Sequence, residues 1–131
     1  MTYLVDSDWV AEYLKGRDSA VSLLDNLFEE DLAISIITFG EIYEGIYYGT
    51  DPQQNELVFR RFLRGVRVIG INRTIARRFA LIRGKLRAEG QIIPQPDILI
   101  AATALQYDLT LLTRNLRDFE RIPDLKLHQP R

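Results

Sequence analysis

Four places in the chain carry acids where chemistry needs them. Asp6 and Asp8 close the segment YLVDSD, Glu41 follows ISIITFG, Asp97 follows IPQP, and Asn115 and Asp118 follow LLTR. Carboxylates and one amide are hard oxygen donors, suited to Mg²⁺ or Mn²⁺. The competing chemistries are poorly supplied. With no Cys there is no thiol nucleophile, disulfide or Cys-ligated zinc, and the single His128 near the C-terminus gives no imidazole pair for acid–base catalysis.

Each acid also has a local explanation. Asp6 or Asp8 suits a helix N-cap, worth about 1 kcal/mol. Thr38-Phe39-Gly40-Glu41 fits a capping box. Asp97 suits the positive end of a helix, and Asn115 and Asp118 suit a turn. Together they are costlier. If Asp6, Glu41 and Asp97 meet, each pair at ~5 Å repels by roughly 3 kcal/mol at an effective dielectric of 20, so three pairs oppose folding by roughly 10 kcal/mol. That exceeds the gain from capping, so the group must protonate, spread apart or take up a cation.

The elements that would bring these residues together follow from hydrophobic patterning. Strands are expected at 2–5, in DLAISIIT between Asp31 and Thr38, at 66–71 and at 109–113, with LKLH near the end as an edge strand. Helices are expected at 7–15, over VSLLDNLF, at 39–48, at 52–64, from Thr74 to near Gly90, and at 97–106, with a helical turn at 115–120. Ile75, Phe79, Ile82 and Leu86 make one apolar stripe on the long helix. Strands alternating with helices predict an α/β fold with a mostly parallel sheet. In such a sheet the strands' C-terminal ends share one edge, and ligands bind there at the switch in strand order. Asp6, Glu41, Thr113, Asn115 and Asp118 follow strand ends, and Asp97 starts the helix leading into the fourth strand.

The 131 residues suit a single domain, 47% apolar and 27% charged, as in ordinary globular proteins. No apolar run reaches the ~20 residues of a membrane span. MTYLVDSD lacks a signal peptide's basic start and apolar stretch, so a cytoplasmic location is expected. Net charge is only −1 but unevenly spread: residues 1–59 hold twelve acids against Lys15 and Arg17, whereas residues 60–87 hold ten basic residues and no acid. Such a block either binds a polyanion or is balanced by the acidic half in the fold. Tyr43, Tyr47 and Tyr48 could stack on bases, but packing or dimer contacts suit them better.

Four segments in order, LVDSDWV, ITFGEIYEGI, PDILIAATAL and LLTRNLRDFERIPDL, give the chain a likeness over nearly its whole length. It resembles PIN-domain ribonucleases, most closely the VapC toxins of toxin–antitoxin pairs. The resemblance implies a three-layer sandwich with a central sheet of four or five strands. It implies an acidic centre of Asp6, Glu41 and Asp97, with Asp6 and Asp97 as direct Mg²⁺ ligands. Asn115, where relatives often carry an acid, or Asp118 would complete the centre, and Thr113 would orient water or a carboxylate. It further implies hydrolysis of RNA to 5′-phosphate and 3′-hydroxyl ends, a homodimer, and a VapB-like antitoxin. Asp8 is a helix cap or a supporting residue. A catalytically inert scaffold of the same fold is the alternative that Asn115 keeps open. A phosphoacceptor receiver domain fails, because the third strand ends in Gly70-Ile71-Asn72 and the fourth in Thr113-Arg114, without the required Asp and Lys.

Overall fold

The computed structural model describes residues 2–129. A five-stranded, wholly parallel sheet forms its middle layer, with strands β1 (Tyr3–Val5), β2 (Leu32–Ser35), β3 (Val66–Ile69), β4 (Thr110–Leu112) and β5 (Lys126–Leu127) in the order β3-β2-β1-β4-β5. The chain steps outward from β1 to β2 to β3 and then returns to the other side of β1. The order therefore reverses between β1 and β4, and the crevice beyond their C-terminal ends is the natural ligand position.

Side-chain alternation in the strands divides the core in two. Val5, Ile34 and Leu112 pack on one face with Trp9, Leu24, Ile42 and Phe59 from helices α1 (Ser7–Leu14), α2 (Asp18–Leu27), α3 (Ile36–Tyr47) and α4 (Pro52–Leu63). Leu4, Ala33 and Leu111 pack on the other with Leu86, Ile98, Ala101 and Phe119 from α5 (Arg73–Ala88), α6 (Gln95–Gln106) and α7 (Leu116–Phe119). Gly16 and Gly90, with φ of +73° and +69°, follow α1 and α5 in a backbone conformation that costs glycine little.

The expected elements are present, with one substantive correction. Strand β2 ends at Ser35 rather than Thr38, and α3 begins at Ile36. The β-branched run Ile34 to Thr38 reads as a strand, but the Ser35 side chain accepts a hydrogen bond from Ile37 N at 3.0 Å and caps the helix. The capping box of Thr38 and Glu41 therefore does not form. Thr38 is buried in the first turn, its hydroxyl without a partner among the described residues, and Glu41 stands in the second turn. The LKLH edge strand is real, and His128 N donates to Leu111 O at 2.9 Å beside it. No helix among the described residues is long and apolar enough to cross a membrane.

Candidate active site

The residue after β1 does two jobs. Asp6 is buried, and its Oδ1 accepts from Ser7 N at 2.8 Å, capping α1. Its Oδ2 accepts from Thr113 Oγ1, just beyond β4, at 2.7 Å. Thr113 Oγ1 in turn accepts from Asn115 N at 3.1 Å. The Thr hydroxyl has one proton, and its 2.7 Å bond to Asp6 takes precedence over the 3.5 Å approach to Asp8. Thr113 thus orients a carboxylate across the switch point.

Asp8 explains the second acid of the opening segment. Its Oδ1 accepts from Trp9 N at 2.6 Å, while its Oδ2 accepts from Arg114 N at 2.9 Å. The Arg114 side chain bonds Glu12 through Nε and lays its guanidinium 3.9 Å from the centre of the Trp9 ring. Asp8, Glu12 and Trp9 of α1 therefore fasten the loop carrying Thr113 and Asn115. Sequence reasoning missed this role of Arg114 because the two ends of the contact lie 106 residues apart. Burial, followed by the charge of Asp6, raises the pKa of Asp8, and its bonds from Arg114 N and Trp9 N oppose the rise.

The other acids come from the helices. Glu41 on α3 accepts from Ser7 Oγ at 3.0 Å, which ties it to the residue beside Asp6. Its pKa is raised by burial and then by the charges of Asp6, Glu44 and Asp8, against the Ser7 bond. Asp97, in the first turn of α6, has no side-chain hydrogen bond among the described residues and is pushed up to about 6, first by burial and then by Asp6, Glu41, Asp118 and Asp8 in that order. Three other chain segments, carrying Asp6 and Asp8, Glu41, and Asp118, thus act on this one carboxyl group. Asp118 belongs to this field. Asn115 Nδ2 donates to its Oδ2 at 3.1 Å, and Arg121 approaches its other oxygen at 3.8 Å. The amide must present N–H to a carboxylate, so Asn115 positions Asp118 and Asp118 is the nearer carrier of charge.

The expected residues Asp6, Glu41, Asp97, Thr113, Asn115 and Asp118 thus share one electrostatic neighbourhood, but not as a closed cage. Among the described residues, no three acidic, His or Cys side chains stand close enough to enclose an ion. The donors facing the cleft are all oxygen: carboxylates and the Ser7 hydroxyl. Tyr43, by contrast, packs on Phe39 and Phe59 and donates to Glu56 at 2.9 Å, a structural position. Tyr47 and Tyr48 are 63% and 89% exposed.

Fold and site together define an α/β protein with an acidic crevice at its sheet switch point. The PIN domain model matches residues 3–125. Ribonuclease VapC2 of Haemophilus influenzae is 30% identical over 126 residues, 96% of each chain. The tRNA(fMet)-specific endonuclease VapC of Salmonella typhimurium is 27% identical, over 97% of this chain and 96% of its own. The structure of VapBC2 from Rickettsia felis bound to a DNA fragment from their promoter superposes with a TM-score of 0.91 at 28% identity, covering 100% of both chains. The chain belongs to the PIN-domain family, among the VapC proteins.

Proposed function

We propose that the protein is a Mg²⁺-dependent endoribonuclease, the toxin of a toxin–antitoxin pair, that hydrolyses RNA to 5′-phosphate and 3′-hydroxyl ends. The observation that carries this reading is the hydrogen-bonded arrangement at the strand ends, where Asp6 is fixed by Ser7 N and Thr113 Oγ1 and Glu41 is tied to Ser7, in a chain that the PIN domain model matches over residues 3–125. Burial and the charges of Asp6, Glu41, Asp118 and Asp8 also push Asp97 up to about 6. A site that makes a carboxylate this uncomfortable is suited to a cation. The oxygen-only donors fit Mg²⁺, or Mn²⁺ in its place, held by Asp6 and Asp97 with water filling the remaining positions. When bound, such an ion supplies polarisation of the phosphodiester and a more acidic water.

The chain's own residues would do the rest. Glu41, held by Ser7 and raised in basicity, takes the proton of the attacking water. The new bond joins water oxygen to phosphorus. The bond from phosphorus to the 3′-oxygen breaks, and that oxygen takes a proton from solvent water and leaves as a hydroxyl. Thr113 fixes the Asp6 carboxylate, while Asn115 holds Asp118 at the rim as a further anionic wall.

The similarity to VapC ribonucleases, one named as specific for tRNA(fMet), supports RNA as substrate, and the VapBC neighbour supports a VapB-like antitoxin as partner. A homodimer accords with the exposed apolar side of α3, where Ile36, Tyr47 and Tyr48 line one depression. Incubating purified protein with total RNA and Mg²⁺ and mapping the new ends tests the proposal. New 5′-phosphate ends with wild type, and none with Asp6→Asn, Asp97→Asn or EDTA, are expected. Metal-independent cleavage, or cyclic phosphate ends, would refute it.

A further inference from the structure

The basic block of residues 60–87 has no obvious counterpart in the fold. Among the described residues none of its ten Arg and Lys side chains forms an ion pair with an acid. At ion-pair range they are therefore not matched by the acidic half, and two of them, Arg83 and Arg87, line one cavity. Arg78 Nε donates to Gln106 Oε1 at 2.8 Å and Asn72 Nδ2 to Tyr107 Oη at 3.4 Å, so the start of α5 lies against the end of α6. The two helices run antiparallel. The end of α5 consequently lies beside the start of α6, where Asp97 sits.

Between those two ends is a cavity of about 500 Å³, outside the carboxylate cluster. Its volume falls within the roughly 300–1,000 Å³ typical of ligand pockets. The floor is apolar: Leu86, Ile93 and Ile98 are each at most 5% exposed. Arg83 and Arg87, one helical turn apart on α5, form a wall, and no acid lines the cavity. Ile92 projects at the mouth with 88% of its surface exposed. Gln95 lines the cavity from the same helical turn that carries Asp97.

We infer that this cavity is a substrate subsite that holds one nucleotide of the RNA strand next to the cleaved bond, its phosphate on Arg83 and Arg87 and its base over the apolar floor. The inference rests on the nuclease reading for its substrate but not for its readout. Two guanidiniums without an acid partner among the described residues, beside an apolar slot, suit a phosphate-linked planar base better than an acidic peptide. A peptide would have to satisfy its backbone groups over the Leu86, Ile93 and Ile98 floor with only Gln91 and Gln95 to answer them. Phosphate contacts by Arg position the strand, and the base slot contributes sequence preference.

The test is fluorescence anisotropy of a labelled single-stranded RNA with the full chain in EDTA, so that no cleavage is required. Arg83→Gln/Arg87→Gln is compared with Arg73→Gln/Arg77→Gln at the other end of α5, which removes the same charge. The first pair is expected to weaken binding about tenfold and to flatten the salt dependence by about one unit of slope, and the second less than about twofold. Ile92→Ser should weaken RNA but leave inorganic polyphosphate binding unchanged. Thermal melting checks that each variant is folded. Equal effects of the two Arg pairs, or none, would overturn the subsite, as would loss of antitoxin capture with RNA binding intact. If the Arg83/Arg87 effect holds but wild type cleaves no RNA, the nuclease reading fails alone. If cleavage is robust and the two pairs behave alike, the subsite fails alone.

Discussion

Asp6 and Asp97 lie within reach of each other's charge but stand in opposite conditions. Asp6 is 6% exposed and accepts from Ser7 N, at the helix start, and from Thr113 Oγ1, at the neighbouring strand end. Among the described residues Asp97 accepts no side-chain or cap hydrogen bond, and it is lifted to about 6 by burial and four acidic neighbours. One side of the crevice is thus fixed by hydrogen bonds formed on folding, as are Asp8 and the Arg114 loop. The other side is left with unbalanced charge. The difference teaches where the protein has been organised in advance and where it depends on something it must bind.

The sharpest way to break the comparison is at the acids themselves. Asp6→Asn and Asp97→Asn should each reduce RNA cleavage in Mg²⁺ to background, a loss of about 10³-fold or more, since removing even one aimed polar group from a reacting centre costs about 10²–10³. Glu41→Gln should cost about 10²–10⁴ in kcat, the usual contribution of a positioned general base, while leaving RNA binding in EDTA unchanged. Thr113→Val keeps the side-chain shape but frees the Asp6 carboxylate, and should reduce metal affinity or activity about 10–100-fold.

Stability should separate the two aspartates with opposite signs. In metal-free protein at pH 7, Asp6→Ala removes the α1 cap and strands the Thr113 hydroxyl, costing about 1–2 kcal/mol. Asp97→Asn removes a charge that its surroundings disfavour and should raise Tm by a few degrees. The pH dependence follows the same sign. Because the folded protein holds Asp97 at about 6, above its ordinary 3.8, the folded form binds the proton more tightly than the unfolded chain. The stabilisation from its protonated form is complete below about pH 4 and is lost as pH rises through 6. Melting curves of metal-free protein should therefore show a decline across this window that Asp97→Asn flattens. Saturating Mg²⁺ should reverse it.

Much of this was legible in the sequence, for a definite reason. Strand-to-helix junctions are local, so an apolar run ending in DSD marks a cap and a sheet edge, and a proline followed by Asp97 marks a helix start, without knowledge of the partners. Local pattern failed at Ser35, where five β-branched or small residues conceal a helix start that one hydroxyl decides. It failed again at Asp8 and Arg114, whose contact joins distant segments. Asn115 was ambiguous as a donor until its amide was seen on Asp118. Which basic side chains share a cavity could not be read from a run of ten, because that depends on how the end of α5 packs beside the start of α6.

Isothermal titration of the metal-free protein with Mn²⁺ at pH 7.5, wild type beside Asp97→Asn, is the most direct measurement of the central claim. One crevice of acids from separate elements, compensated by a divalent ion, predicts saturable uptake by wild type and at least tenfold weaker uptake by the variant. Identical binding curves for the two proteins, or no uptake by wild type, would contradict it.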